Sequence, residues 1–305
     1  MKVDLSINIG NLKLKNPVLL ASGTVGYGNE ISEFTDLSKI GGIVTKSVSL
    51  NPRKGNPPQR IVETASGMLN AIGLANVGVE EFIKSKIPFL KNIGLTIICN
   101  IAASSIEEYA ECVRILDNED SISAFEINVS CPNVKDGGLL FGNDINYVGQ
   151  ITNKVRGLTS KPVIIKLSPN TTDIKTFANA AKNEGADAVS AINTLVGTSF
   201  DIYSRKPKIK NITGGLSGPA IKPIALAKVL EISRNVDIPI IGIGGIMNWK
   251  DAIEFMICGA TAIQIGTANF INPNVGMEII SGIENYCKEM QIDKISSLTA
   301  SYILE

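Results

Sequence analysis

Eight short, continuously apolar runs recur along this chain, and each closes on a glycine or a polar residue. Val18-Leu19-Leu20-Ala21 ends at Ser22-Gly23, Gly42-Ile43-Val44-Thr45 at Lys46-Ser47, Leu95-Thr96-Ile97-Ile98-Cys99 at Asn100, and Ala124-Phe125-Glu126-Ile127 at Asn128. Val163-Ile164-Ile165 ends at Lys166, and Ala188-Val189-Ser190-Ala191-Ile192 at Asn193-Thr194. Ile238-Pro239-Ile240-Ile241 ends at Gly242, with Gly244-Gly245 beyond, and Ala262-Ile263-Gln264-Ile265 ends at Gly266-Thr267. Helical periodicity fills most of the gaps: Ile106 to Leu116, Asp173 to Glu184, Ile221 to Val236 and Trp249 to Cys258. Strands apolar on both faces and separated by helices predict a parallel sheet covered on each side. About eight such units in 305 residues predict an α/β fold, a (β/α)8 barrel forming one domain over residues 1–305. A β-hairpin opens it: Leu5, Ile7 and Ile9 alternate, Gly10-Asn11 turns, and Leu12 and Leu14 alternate back. An open doubly wound sheet is the alternative, but its dinucleotide fingerprint is missing.

A barrel of this kind does its chemistry where the strands end, at the C-terminal face. Every polar terminus above then points into one bowl. Polar residues also end strands simply because loops are polar. That explains Asn or Ser better than it explains Lys46 and Lys166, because a lysine buried without a counter-charge is costly. Three long connections follow strand ends and would rim the bowl: Ser47 to Val79, Cys131 to Asn146, and Gly197 to Pro219. They read as lids over a water-sensitive site or as surface insertions.

The chain has no histidine, so proton transfer falls to other groups. Cys131 sits in Asn128-Val129-Ser130-Cys131-Pro132-Asn133, where Pro132 must stop the strand. A thiol titrates near pH ~8.5 and is a usable base with little tuning; the bland alternative is a structural thiol. The five cysteines form no CxxC pair, which argues for reduced thiols in a cytoplasm and against a metal or iron–sulfur site built by this chain. Lys+Arg and Asp+Glu balance at 29 each, so no basic excess points to nucleic acid, and no apolar run reaches membrane-spanning length.

Gly244-Gly245 after the seventh run and Gly266-Thr267 after the eighth predict a phosphate cradle, although Gly244-Gly245 also fits a plain tight turn. Gly23-Thr24-Val25-Gly26-Tyr27-Gly28 has its glycines in the wrong order for a dinucleotide, so a mononucleotide such as FMN fits better than NAD. Lys166 would then lie by the flavin N1–C2=O edge, where positive charge stabilises the anionic reduced ring. Lys46 would do likewise or hold a substrate anion. Asn70, Asn100, Asn128, Asn133 and Asn193 carry the paired donors and acceptors that read a planar heterocycle.

With these residues assembled, the chain resembles the dihydroorotate dehydrogenases over nearly its whole length. The resemblance rests on Asn16-Pro17-Val18, Ala21-Ser22-Gly23, Thr45-Lys46-Ser47, Asn70-Ala71-Ile72-Gly73-Leu74, Asn128 to Asn133, Ile165-Lys166-Leu167, Ile192-Asn193-Thr194, Gly214-Gly215-Leu216-Ser217-Gly218, Gly244-Gly245 and Gly266-Thr267. It implies an FMN barrel that oxidises (S)-dihydroorotate to orotate in pyrimidine (UMP) synthesis, with Cys131 taking the C5 proton and hydride leaving C6 for flavin N5. It implies FMN contacts at Ser22, Lys46, Ser47, Asn100, Asn128, Lys166, Ile192, Gly218, Gly244, Gly245, Gly266 and Thr267. It implies substrate contacts at Lys46, Asn70, Ala71, Ile72, Gly73, Leu74, Asn128, Asn133, Asn193 and Thr194. Pro132 to Gly138, then Phe141-Gly142, resembles class 1B. That class implies a homodimer core paired with a subunit carrying FAD and a [2Fe-2S] cluster, a heterotetramer that passes electrons to NAD. The fumarate-using class 1A homodimer is the near alternative. A non-redox phosphate-binding barrel, an aldolase using Lys166 as a Schiff base, is the alternative of another class.

Overall fold

The computed structural model describes residues 2–130 and 144–304. Its strands, in chain order, are β1 (Ile7–Ile9), β2 (Leu12–Leu14), β3 (Val18–Leu20), β4 (Gly42–Val44), β5 (Ile61–Thr64), β6 (Gly67–Asn70), β7 (Ile97–Ile101), β8 (Ile122–Asn128), β9 (Val163–Lys166), β10 (Ala188–Ala191), β11 (Leu195–Thr198), β12 (Thr213–Ser217), β13 (Ile240–Ile243) and β14 (Ala262–Ile265). Eight of them close into a parallel barrel in the order β3-β4-β7-β8-β9-β10-β13-β14 and back to β3. The eight apolar runs of the sequence are these eight strands.

Their continuous hydrophobicity has a simple cause. Helices cover the outside of the barrel and side chains fill its inside, so neither face meets water. Val18, Ile43, Ile98, Phe125, Ile164, Val189, Ile241 and Ile263 are all buried. The helix Ile106–Leu116 starts where Ser105 accepts a hydrogen bond from the Glu108 N–H, and Trp249–Ile257 starts on a capping box between Asn248 and Asp251.

The hairpin β1–β2 lies at the opposite mouth. Gly10, at φ +57°, takes the left-handed position its two-residue turn requires, and it packs on Asp187 just before β10. Among the described residues no helix is long and apolar enough to cross a membrane.

Two of the three long connections carry strands of their own. β5 and β6 come from the connection after β4, and β11 and β12 from the one after β10. They form one antiparallel sheet, β11-β12-β6-β5, with Gly215 opposite Asn70 and Ser217 opposite Met68. These segments therefore pair with each other across the barrel's C-terminal mouth. Residues 131–143 of the remaining connection lie outside the described residues.

Candidate active site

Glu126 organises the floor of the bowl. It is on β8, wholly buried, and it accepts hydrogen bonds from three other strands through neutral donors. Asn100 Nδ2 on β7 donates to Oε1 at 2.6 Å, while Gln264 Nε2 on β14 and Ser190 Oγ on β10 donate to Oε2 at 2.6 and 2.9 Å. Lys166 Nζ on β9 stands 3.5 Å from Oε1. The counter-charge that a buried lysine requires is thus supplied from inside the barrel, by a residue the sequence reading passed over. A signal was present: a lone carboxylate inside a strand covered on both faces needs polar partners within the protein.

Above this floor opens a cavity of about 590 Å3, within the range typical of small-molecule sites. Ser22, Lys46, Ser47, Asn128, Lys166, Ile192, Gly218, Gly244, Gly245, Gly266 and Thr267 all line it, and so do Asn70 to Leu74, Asn193 and Thr194. Asn100 does not. It lies one layer lower, fully buried, and reaches the wall through Ser47, whose Oγ donates to Asn100 Oδ1 at 2.6 Å. Cys131 and Asn133 lie outside the described residues. Ser130, the residue before Cys131, lines the cavity.

The wall also holds residues that the sequence reading missed, Asn56 and Arg60 among them. Asn56 Nδ2 donates to the Ala71 carbonyl at 2.9 Å and its backbone N–H to that of Ile72 at 3.0 Å, so it fixes the Asn70–Leu74 strip. Gly73, at φ +73°, serves this packing: a Cβ there would stand 2.6 Å from Asn56. Asn128 Oδ1 accepts from Asn193 Nδ2 and from the Ser130 N–H, both at 3.3 Å.

Lys46, Arg60 and Lys166 bring three cations to the lining, and no Asp or Glu among the described residues joins them. No ion pair among the described residues engages Lys46 or Arg60. The cavity is therefore suited to anions. The glycine positions divide into two kinds. Gly244 (φ +131°) and Gly245 (φ +72°) need the glycine for their own fold, because an added Cβ would meet Ala225 at 2.7 Å and the Gly218 carbonyl at 2.8 Å. At Gly266 the nearest atom to an added Cβ is Ala21 Cβ, 3.9 Å away, so the Cβ would fill cavity space instead. The N–H groups of Gly245 and Gly266 donate to no other described residue. A helical turn starts at Pro219, just after Gly218, and continues as the helix Lys222–Ser233. Free N–H groups, glycine and a helix start beside an anion-suited cavity fit the phosphate of a mononucleotide.

The described thiols are poor bases. Burial pushes Cys99 and Cys112 up to about 12 and raises Cys258 and Cys287 as well. None of the four is in a disulfide.

Comparison with known proteins agrees with this geometry. Residues 4–287 match the family model for dihydroorotate dehydrogenase. The chain is 53% identical, over 97% of both chains, to the "Dihydroorotate dehydrogenase B (NAD(+)), catalytic subunit" of Geotalea daltonii. Proteins with the same name from Pelobacter propionicus (52% identical over 99% of both chains) and Bacteroides thetaiotaomicron (52% over 93% of both) are similar to it as well.

Proposed function

The chain belongs to the dihydroorotate dehydrogenase family, and on that premise we propose that it binds one FMN, oxidises (S)-dihydroorotate to orotate, and hands the electrons to NAD through a partner subunit. The observation that carries the reading is a single cavity bearing Lys46, Arg60, Lys166 and an open glycine cradle, with no carboxylate among the described residues of its wall. Both FMN and orotate are anions.

In this reading Gly218, Gly244, Gly245, Gly266 and Thr267 hold the phosphate, and Ser22, Ser47 and Ile192 pack the ring. Bound FMN supplies the two-electron acceptor for the hydride from C6. Asn128, Asn193, Thr194 and the Asn70–Leu74 strip orient the substrate heterocycle, and Lys46 holds its carboxylate. Cys131, the next residue in sequence after the wall residue Ser130, supplies the base that takes the C5 proton. The Lys166 ammonium offsets negative charge at the flavin N1–C2=O edge. Its ion pair with Glu126 speaks against the aldolase alternative, because a paired ammonium has no lone pair for a carbonyl.

The NAD-linked class is favoured over the fumarate class because the relatives carry "NAD(+)" and "catalytic subunit" in their names. A subunit with FAD and a [2Fe-2S] cluster would complete the electron path, as a heterotetramer around a dimer of this chain. Exposed apolar side chains on the β11–β12 arm, Val196, Phe200, Ile202 and Tyr203, support a covered surface there. Four described cysteines outside any disulfide support a cytoplasmic location. The test is an acceptor assay on the purified chain, offered dihydroorotate with fumarate and then with NAD. NAD reduction only after a second subunit is added is the expected result. Fast fumarate reduction by the chain alone would overturn the NAD assignment.

A further inference from the structure

Glu126 has no part in the reaction as derived, yet the barrel builds a socket for it. Both oxygens are saturated by donors from β7, β9, β10 and β14. An apolar side chain would fill the space without the cost of desolvating a charge. An amide has only one acceptor oxygen, so its N–H2 would be satisfied only if Ser190 and Gln264 turned to accept from it. The socket as it stands aims four donors at a carboxylate, and stability alone is a weak reason for one. The distinctive partner is Lys166, 3.5 Å away and the only cation among the described residues that pairs with it. Lys166 has no other partner for its ammonium among the described residues, and it lines the cavity.

Resting on the FMN reading above, we propose that Glu126 is a positioning residue acting through Lys166. It ties the ammonium to the cavity floor and offsets its charge, so that the bound flavin keeps a lower reduction potential than Lys166 alone would impose. A full positive charge beside the N1–C2=O edge would favour the reduced anion and make its electrons harder to pass on. A neutralised pair keeps Lys166 as a hydrogen-bond donor without that penalty. Charge in this position is poorly screened, because Glu126 is 0% exposed and Lys166 6%.

The test measures the midpoint potential of FMN on the purified chain by equilibrium titration against redox dyes. In Glu126→Gln the potential rises: reduced FMN gains on oxidised FMN by about tenfold, or about 30 mV for a two-electron couple. Glu126→Asp keeps the charge and stays near wild type. A merely structural role would disturb both variants alike. Lys166→Met lowers the potential, and the double variant Glu126→Gln/Lys166→Met returns towards wild type. That double variant leaves no unpaired buried charge, so it remains a valid readout where Glu126→Gln alone fails to fold. An unshifted or lowered potential in Glu126→Gln would overturn the proposal. So would an Asp variant that moves as far as the Gln variant, or a double variant as low as Lys166→Met. These outcomes leave the flavin reading standing; a wild-type chain that takes up no FMN would remove both.

Discussion

Asn193 donates its side-chain amide to Asn128 Oδ1 at 3.3 Å, across 65 positions of sequence, and this fixes which end of Asn128 is left for a ligand. The Ser130 N–H takes the same oxygen at 3.3 Å, while Asn128 Nδ2 has no partner among the described residues. Asn128 therefore presents a donor to the cavity. Removing that donor is expected to cost about 1–3 kcal/mol of orotate binding, the range for a buried hydrogen bond left unmade. Asn128→Asp should do worse than Asn128→Ala, because a carboxylate would repel an anionic ligand. Orotate titration of the flavin absorbance measures both; equal losses would contradict the donor assignment.

The cradle glycines predict two different failures. Gly266→Ala places its methyl in cavity space, so the protein should keep its melting temperature without FMN and bind FMN at least about tenfold more weakly. Gly244→Ala forces a side chain into a left-handed backbone position 2.7 Å from Ala225, so it should lower the melting temperature itself. Calorimetry of the FMN-free chains and FMN titration separate the two effects. A destabilised Gly266→Ala would show that this glycine serves the fold.

The barrel was legible because burial on both faces leaves its mark in every strand; Val163–Lys166 and Ala262–Ile265 can be read as strands without knowing their neighbours. The roof sheet was not. β12 is Thr-Gly-Gly-Leu-Ser, with no apolar alternation, and its partner β6 lies some 145 residues away, a pairing that no local pattern encodes. Asn100 shows a finer limit. Its place after an apolar run suggested the bowl, but β7 continues to Ile101 and carries Asn100 to the layer of Glu126. The position of a strand end, off by one or two residues, decides between wall and floor.

The neutral donors around Glu126 bear a measurable share of stability. Ser190→Ala removes a 2.9 Å hydrogen bond to a buried carboxylate, which should cost about 1.5–3 kcal/mol, the range for bonds to charged groups. Urea denaturation of the two chains checks it. A loss of a few tenths of a kcal/mol would mean that the remaining three donors close over the gap.

Reactivity should single out one thiol. At pH 8 a thiol near 12 is only ~10⁻⁴ thiolate, so iodoacetamide should spare Cys99 and Cys112. Orotate-protectable inactivation should then map by peptide mass spectrometry to Cys131. Cys131→Ala should retain FMN and lose about 10²–10⁴-fold in flavin reduction by dihydroorotate. Wild-type reduction speed in that variant would take the base assignment from Cys131.

Alkaline pH should loosen the fold through groups remote from the reaction. Burial raises Cys99 and Cys112 from 9.0 to about 12, and Tyr27 from 10.0 to about 12. In each case the folded state favours the neutral form. The stability this contributes is complete below the unfolded value and is lost as pH climbs towards the folded one. The window therefore opens near 9 for the thiols and near 10 for the tyrosine, and it closes near 12. Each group contributes a slope of up to about 1.4 kcal/mol per pH unit inside its window. Urea midpoints should fall from pH 9 upwards, and Tyr27→Phe should fall less steeply than wild type above pH 10, because it has no phenol to ionise. Parallel slopes for the two chains would mean that the Tyr27 hydroxyl reaches water in the folded state.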